Sequence, residues 1–216
     1  MAEPEIHAPG AAARVAAPRK LVPEDREAAA QALFRAFWDD PLIGYYFPGE
    51  GLRRSLLPLL MRGAIKLAAP YGESFTAGPA PVGGALWLPP GRSKVPLPSV
   101  LRIMLPDVWR WRPRALRRFL AVMDELDKKH PKQDHWYLML LGIDPPRQGQ
   151  GLGGLLMSDA LGRADRDGLG AYLETHKARN VPFYEKHGFA VVEHFRCDGG
   201  RGPESWTMHR TPRARV

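Results

Sequence analysis

Cysteine is almost absent from this 216-residue chain, which carries only Cys197. One thiol excludes an internal disulfide and a cysteine-based zinc site of the usual kind. Cys197 itself reads as a small filler of a late strand, because no partner for a nucleophile stands near it in the sequence. There is no His-Glu-x-x-His run either, so no metal is expected. Long apolar runs are missing as well: the stretch Tyr137 to Ile143 is among the longest, and it is far too short to span a bilayer. The opening "MAEPEIHAPGAAARVAAP" lacks the apolar run of a secretory signal. Its Ala, Pro and Gly content suggests a disordered lead-in over residues 1–18. The expectation is a cytoplasmic protein with no membrane partner.

Acidic residues are scarce in one segment. Between Arg92 and Arg118 eight basic residues face a single acid, Asp107, within a chain of net charge +8. Such a run is usually a solvated helix face. Trp109 and Trp111 are interleaved with it, so a binding surface is the competing reading, and nucleic acid the weaker partner. The rest of the composition, 44% hydrophobic and 25% charged, is that of an ordinary globular protein.

Periodicity supplies the organisation. "RKLV" (Arg19 to Val22) reads as a strand, followed by a helix from Pro23 to Asp40 with acids in its first turn and apolar residues at helical spacing. Asp40-Pro41 should end it. "LRRSLLPLLMRGAIKLA" is a second helical stretch, with Pro58 expected to kink or break it. "ESFTAG" and "GGALWLPPG" read as a hairpin, and Arg92 to His130 as helix in two pieces divided around Pro106 to Pro113. From His135 the order becomes strand, helix, strand, helix, strand, strand. "HWYLMLLGI" is apolar throughout, as a central strand buried on both faces would be. The fold class is therefore α/β with a mixed sheet.

Within "RQGQGLGG", Gly149 to Gly154 spell G-x-G-x-x-G, and Glu174 follows twenty residues later, as in a dinucleotide-binding turn. Three features exclude that reading. Five residues, Asp144 to Gln148, separate the strand from Gly149, whereas a dinucleotide turn begins at the strand end. Only 62 residues follow Gly154, too few for the further βα units of a doubly wound fold, and the motif lies in the last third of the chain. A Walker loop is excluded because Leu155-Leu156 stands where Lys-Ser/Thr is required. Glycines at a strand-to-helix junction still present bare N–H groups at the positive end of a helix, and that binds pyrophosphate of any parentage.

The full run Ile143-x-Pro145-x-x-Gln148-Gly149-x-Gly151-Leu152-Gly153-x-x-Leu156 resembles the acyl-CoA signature of the GNAT superfamily of N-acetyltransferases. "RNVPFYEKHGF" (Arg179 to Phe189) resembles the second hallmark of that family. Residues 135–210 are similar to its puromycin N-acetyltransferase-like members, residues 19–90 more loosely so. The resemblance implies a GNAT fold: a mostly antiparallel sheet whose two central strands splay apart, flanked by helices. It places a single such domain over residues 19–212, with a basic helical insertion at about 92–132.

The resemblance also implies a chemistry, acetyl transfer from acetyl-CoA to a primary amine in a ternary complex. The pantetheine arm would pair with the main chain at Leu141 and Ile143, where Gly142 suggests a bulge or close ligand approach. Pyrophosphate would lie on Gly149, Gly151, Leu152, Gly153 and Gly154, with Arg147 or Gln148 alongside, and Asn180 would bond the pantetheine or cap a helix. Tyr184 is the candidate general acid at the sulfur, and the Ile143 N–H the group polarising the thioester. Glu174 is the candidate base, or a carboxylate buried against Arg179 or His176 for structure; His135 and His176 are weaker candidates. Asp39 and Asp40 suit a pocket for a cationic amine and equally suit a helix end, and His135 is grouped with them. Expected partners are a small-molecule amine, with a homodimer left open and nucleic acid disfavoured. Two alternatives stay open: a protein lysine or N-terminal acetyltransferase, and a non-catalytic acetyl-CoA-binding regulatory module.

Overall fold

The apolar run at His135 builds the middle of the molecule. The computed structural model describes residues 17–93, 97–104 and 110–213; Lys94, Pro106, Asp107 and Trp109 lie outside that range, as does most of the expected N-terminal lead-in. The strands are β1 (Pro18–Lys20), β2 (Ser74–Ala77), β3 (Gly83–Leu88), β4 (His135–Ile143), β5 (Gly170–Thr175), β6 (Ala190–Arg196) and β7 (Glu204–Arg210). They form one sheet in the order β1-β2-β3-β4-β5-β7-β6. Every pairing is antiparallel except β4 with β5. A parallel neighbour needs a crossover, and the helix Leu152–Asp167 supplies it.

The helices are α1 (Arg26–Ala36), α2 (Pro41–Tyr46), α3 (Glu50–Ala68), α4 (Leu97–Met104), α5 (Pro113–Lys129), α6 (Leu152–Asp167) and α7 (Val181–Lys186). On one face of the sheet α1, α2, α3 and α5 bury Leu33, Ile43, Phe47, Leu57, Met61 and Phe119 against Leu86 and Leu88 of β3. On the other, α6 and α7 bury Leu156, Met157, Ala160 and Tyr184 against Trp87, Trp136, Leu138 and Leu173. The alternation of strand side chains to opposite faces divides the two cores.

The first helix ends at Ala36, short of Asp40, and Asp40-Pro41 instead begins the next. The Asp40 carboxylate accepts the Leu42 N–H (2.9 Å) and Pro41 opens α2, a cap and a proline at its first position. Pro58 does not break α3, which runs on to Ala68. The basic segment forms α4 and α5 on either side of residues 105–109. Trp111 is buried, meeting Phe47 and Phe119 edge to face at 5.0 and 5.3 Å, so this tryptophan is core. Arg118 donates to the Tyr45 carbonyl (2.8 Å). Cys197 is buried beside Ser205 Oγ (2.8 Å), and burial pushes its thiol up, which suits filler and not a nucleophile.

Asp198, in the turn between β6 and β7, has φ of 51° and joins that turn to the helical face. Its buried carboxylate accepts from Tyr45 Oη (2.5 Å), Arg201 (2.7 Å) and Arg117 (3.3 Å). Arg201 and then Tyr45 hold it well below the usual carboxylate range. A depressed carboxylate stabilises the fold above its unfolded value, and that contribution disappears as pH falls through the folded one. Asp198→Ala is expected to cost about 2 kcal/mol, from three lost bonds partly offset by solvation of the two exposed arginines. Urea unfolding at pH 7 measures it; an unchanged midpoint would mean that the cluster has no net worth.

Candidate active site

The site begins where β4 and β5 part. Their register runs from His135 opposite Gly170 to Leu138 opposite Leu173, and ends there. Both strands continue, β4 to Ile143 and β5 to Thr175, so the sheet is splayed at its centre. The bulge expected at Gly142 lies earlier. Leu138 faces Trp87 and Leu140 faces Leu86, leaving Met139 as the extra residue. Gly142 keeps regular register, and its missing side chain admits α1: a Cβ there would lie 2.8 Å from the Phe37 ring and 2.9 Å from Leu33 Cδ2.

Past the bulge, bonded and non-bonded pairs alternate along the antiparallel ladder. Asp144 donates to the Val82 carbonyl (2.9 Å), in a register where Gly142 faces Gly84. The bonds to β3 therefore belong to Gly142 and Asp144. The main-chain groups of Leu141 and Ile143 point the other way, into the gap that β5 has left.

The glycines of the following loop have two different jobs. Gly149 and Gly151 both have φ of 75°, and nothing crowds either, so backbone conformation alone requires them. Gly151 leads into α6, and the amides of Leu152, Gly153 and Gly154 are its first N–H groups. Gly153 and Gly154 serve packing as well: their Cβ atoms would lie 3.1 Å from the Phe183 ring and 2.5 Å from His187 Nε2. Gly154→Ala is expected to cost about 1–3 kcal/mol through this clash, read as a lowered Tm. Gln148 and Arg147 are both exposed; Gln148 donates to the Ile143 carbonyl (2.9 Å) and Arg147 reaches Gln150 (3.2 Å).

On the helical side the gap opens into a cavity of about 830 Å³. Tyr184, Asn180, Leu141, Thr175, Glu174 and Asp40 all line it. Tyr184 is buried, and burial, followed by the Asp40 charge, pushes its phenol above the usual tyrosine value. Asn180 does not cap α7; its amide donates to Thr175 Oγ1 (3.2 Å), fixing the start of α7 to the end of β5. Asp39 does not line the cavity. It is exposed and paired with Lys177 (2.7 Å) and Arg179 (3.2 Å), while Asp40 is buried at the wall.

Among the described residues no hydrogen bond or ion pair joins Glu174 to Arg179 or His176; the His176 ring bonds Ser205 Oγ (2.7 Å) and feels the Glu174 charge. The Glu174 side chain is 6% exposed, and among the described residues its Oε1 has no hydrogen-bond partner. Around it stand Tyr137 and Tyr172, whose phenols are pushed up by burial first and then by the Glu174 charge. The nearest cation-forming group is His130, with Nδ1 at 3.7 Å from Oε1.

His130 was not singled out from the sequence, yet it ties Glu174 to His135. Their Nε2 atoms are 3.0 Å apart, and His135 Nδ1 lies 2.7 Å from the Gln133 carbonyl. A carbonyl only accepts, so His135 Nδ1 carries the proton and its Nε2 the lone pair. His130 must then donate from Nε2, and its Nδ1 faces Glu174 as an acceptor when the ring is neutral. At 3.7 Å no hydrogen bond joins the two, so Glu174 and His130 meet at the cavity wall with Oε1 unpartnered among the described residues, and His135 lies behind them, outside the cavity lining. Burial pushes the His135 ring down, favouring its neutral form. The only signal in the sequence was "HPKQDH", two histidines five apart at the entry to β4. No group of three or more His, Cys, Asp and Glu that could hold a metal occurs among the described residues, and no helix among them is long and apolar enough to cross a membrane.

Residues 115–189 match the acetyltransferase (GNAT) family, a span that contains β4, the glycine loop, β5 and α7. An uncharacterised N-acetyltransferase of Schizosaccharomyces pombe is 28% identical over 190 residues, covering 82% of this chain and 75% of its own. Among solved structures, the histone acetyltransferase HPA2 and related acetyltransferase from Corynebacterium glutamicum superposes with a TM-score of 0.66 at 23% identity, over 94% of this chain and 99% of the other. Arylalkylamine N-acetyltransferase 2 from Aedes aegypti gives 0.64 at 14% identity, over 91% and 98%. The Drosophila melanogaster polyamine N-acetyltransferase gives 0.62 at 14% identity, over 90% and 98%. At these identities the solved structures show a shared fold.

Proposed function

From the premise that this chain carries a GNAT-family N-acetyltransferase domain, we propose that it transfers acetyl from acetyl-CoA to the primary amine of a small molecule, by direct attack with both substrates bound. One observation carries the reading: the splayed gap between β4 and β5 opens directly into a cavity with a buried carboxylate, Glu174, and a buried phenol, Tyr184, on its wall.

The residues present fit the donor. The main chain of Leu141 and the Ile143 N–H, which β5 leaves unpaired, offer a strand edge to the pantetheine amides, while the Ile143 carbonyl is held by Gln148; Asn180 stands beside them. The free amides from Gly149 to Gly154 lie at the positive end of the sixteen-residue α6, suited to pyrophosphate, with exposed Arg147 adding charge. Gly149→Ala forces a side chain into the left-handed region at a cost of about 1–2 kcal/mol. Since nothing there is packed, the loop relaxes instead of unfolding the domain. The expected result is a KM for acetyl-CoA raised about tenfold with Tm nearly unchanged; an unchanged KM would move the pyrophosphate elsewhere.

In the transfer, the amine nitrogen bonds the thioester carbonyl carbon and the carbon–sulfur bond breaks. The amine proton goes to Glu174, and the departing sulfur takes a proton from Tyr184. The Ile143 N–H is aimed to receive charge developing on the carbonyl oxygen. Asp40, beside Tyr184, favours a cationic acceptor at the site. Helices α2 to α5 wall the cavity on the acceptor side, which supports a small molecule over a protein lysine. Release of free CoA thiol from acetyl-CoA, followed with puromycin, a panel of simple amines and a basic peptide, tests this. Amine-dependent thiol release is expected. Acetyl-CoA binding with no release on any amine would replace the enzyme by a sensor.

A further inference from the structure

The whole chain has a net charge of +8, but the cavity wall does not share it. The buried side chains of Asp40 and Glu174 contribute to the lining, together with the exposed Asp124, which is paired with Lys128 (2.6 Å), and Asp127; Lys177 approaches Asp40 to 4.0 Å, but among the described residues no lysine or arginine lines the cavity. An inversion of this kind in a basic protein focuses negative potential into the cavity, and so admits cations and repels anions. Most of the remaining wall is apolar: Leu59 and Met61 from α3, Val100 and Ile103 from α4, Phe119 and Met123 from α5. Polar groups gather at one end, around Glu174, His130 and Tyr184, where β4 and β5 part.

We infer that the acceptor is a hydrophobic monoamine, a primary amine on an extended alkyl chain or aryl group. Its nitrogen lies at the Glu174 end, and its apolar body lies between α3, α4 and α5. This inference rests on the acetyl-transfer reading for the direction in which the amine points. The cavity's preference for charge and length is independent of turnover. A hydrophilic diamine of equal length places its second cation among leucines and methionines, where nothing solvates it. A carboxylate with the same tail meets the buried Asp40 and Glu174 side chains at the polar end, where the imidazoles of His130 and His176 are the only basic groups among the described lining residues.

The apolar wall should respond to each added methylene. Burial of one CH₂ changes binding by about fourfold, so five of them give about 10³-fold if all are fully buried, and somewhat less in practice. Calorimetric titration of the full chain with propylamine, octylamine, octanoate and 1,8-diaminooctane reads binding, and thiol release from acetyl-CoA with the three amines reads turnover. Octylamine is expected to bind at least 10²-fold more tightly than propylamine, to exceed the diamine by tenfold or more, and to leave octanoate without detectable binding. Met123→Lys, at a half-buried wall position, should weaken octylamine at least tenfold and propylamine much less. Equal affinity for all chain lengths, or octanoate binding as well as octylamine, overturns the inference. Octylamine binding with the expected selectivity but releasing no thiol leaves the inference standing and sinks the acetyl-transfer reading instead. Turnover that does not rise with chain length does the reverse.

Discussion

Glu174→Gln is expected to lower kcat/KM for the acceptor amine by about 10²–10⁴-fold while making the protein more heat-stable. The activity loss follows from the role of a base that receives the amine proton. The stability gain follows from the geometry. The carboxylate is 6% exposed, its Oε1 has no hydrogen-bond partner among the described residues, and the nearest cation-forming atom is 3.7 Å away. An incompletely paired buried charge is costly, and removing it in favour of a neutral side chain of the same shape recovers about 1–3 kcal/mol. For a chain of this size each kcal/mol is worth about 2–4 °C of Tm. The opposite signs decide between two roles. A carboxylate kept for structure, held by His130, Tyr137 and Tyr172, would give a Gln variant that melts lower and loses activity only in proportion. Activity lost while Tm rises is the mark of a residue strained for function. Measuring kcat/KM and Tm on the same preparation separates them.

Much of the fold was legible because its signals were local. The strands "HWYLMLLGI", "GAYLET" and "ESWTMHR" coincide with β4, β5 and β7 to the residue. Each is a short run of apolar or β-favouring residues bounded by glycine, proline or charge. Asp40-Pro41 was legible only in part: the first helix already ends at Ala36, and the dipeptide expected to stop it is instead a good cap and first residue for the next. Of the two expectations for Pro58 the break does not occur: a proline forfeits one hydrogen bond and crowds the preceding turn, but α3 packs Leu56, Leu57, Met61 and Ile65 into the core around it. Tertiary burial along nineteen residues outweighs one local defect.

The candidate site divides along similar lines. Gly149 and Gly151 announce themselves because only glycine takes φ near 75° without cost. Gly142 also stood out in a bulky strand, but sequence cannot tell a bulge from a close neighbour, and here the neighbour is α1. The two aspartates at the first helix end were indistinguishable until the direction of α2 turned Asp40 inward and left Asp39 to Lys177 and Arg179. His130 was hidden for a different reason. It sits at the end of α5, outside both glycine and tyrosine motifs, and meets Glu174 only because β4 and β5 lie side by side. A residue whose function depends on a parallel strand pairing leaves no periodic trace of it.

Tyr184→Phe is the second large effect, an expected fall in kcat of about 10²-fold with KM for acetyl-CoA within about twofold. The lower end of the range for acid catalysis applies. The phenol is pushed up by burial and by Asp40, so in the proposed transfer it would give up its proton to the departing sulfur less readily than an ordinary tyrosine. The sign of the shift also constrains the pH profile. A tyrosine raised above its ordinary value of about 10 stays protonated throughout the range where the amine substrate becomes neutral. Wild-type kcat should therefore show no alkaline fall between pH 8 and 10 that disappears in the Phe variant. Among the described residues no hydrogen-bond partner for the Tyr184 hydroxyl is present, so its removal breaks no internal bond, and the ring keeps its edge contacts with Phe183 (5.1 Å) and Phe189 (6.0 Å). Tm should hold within about 1 °C. A Phe variant with full kcat would show that the sulfur leaves without this phenol; a drop in Tm matching the loss of activity would return Tyr184 to the core.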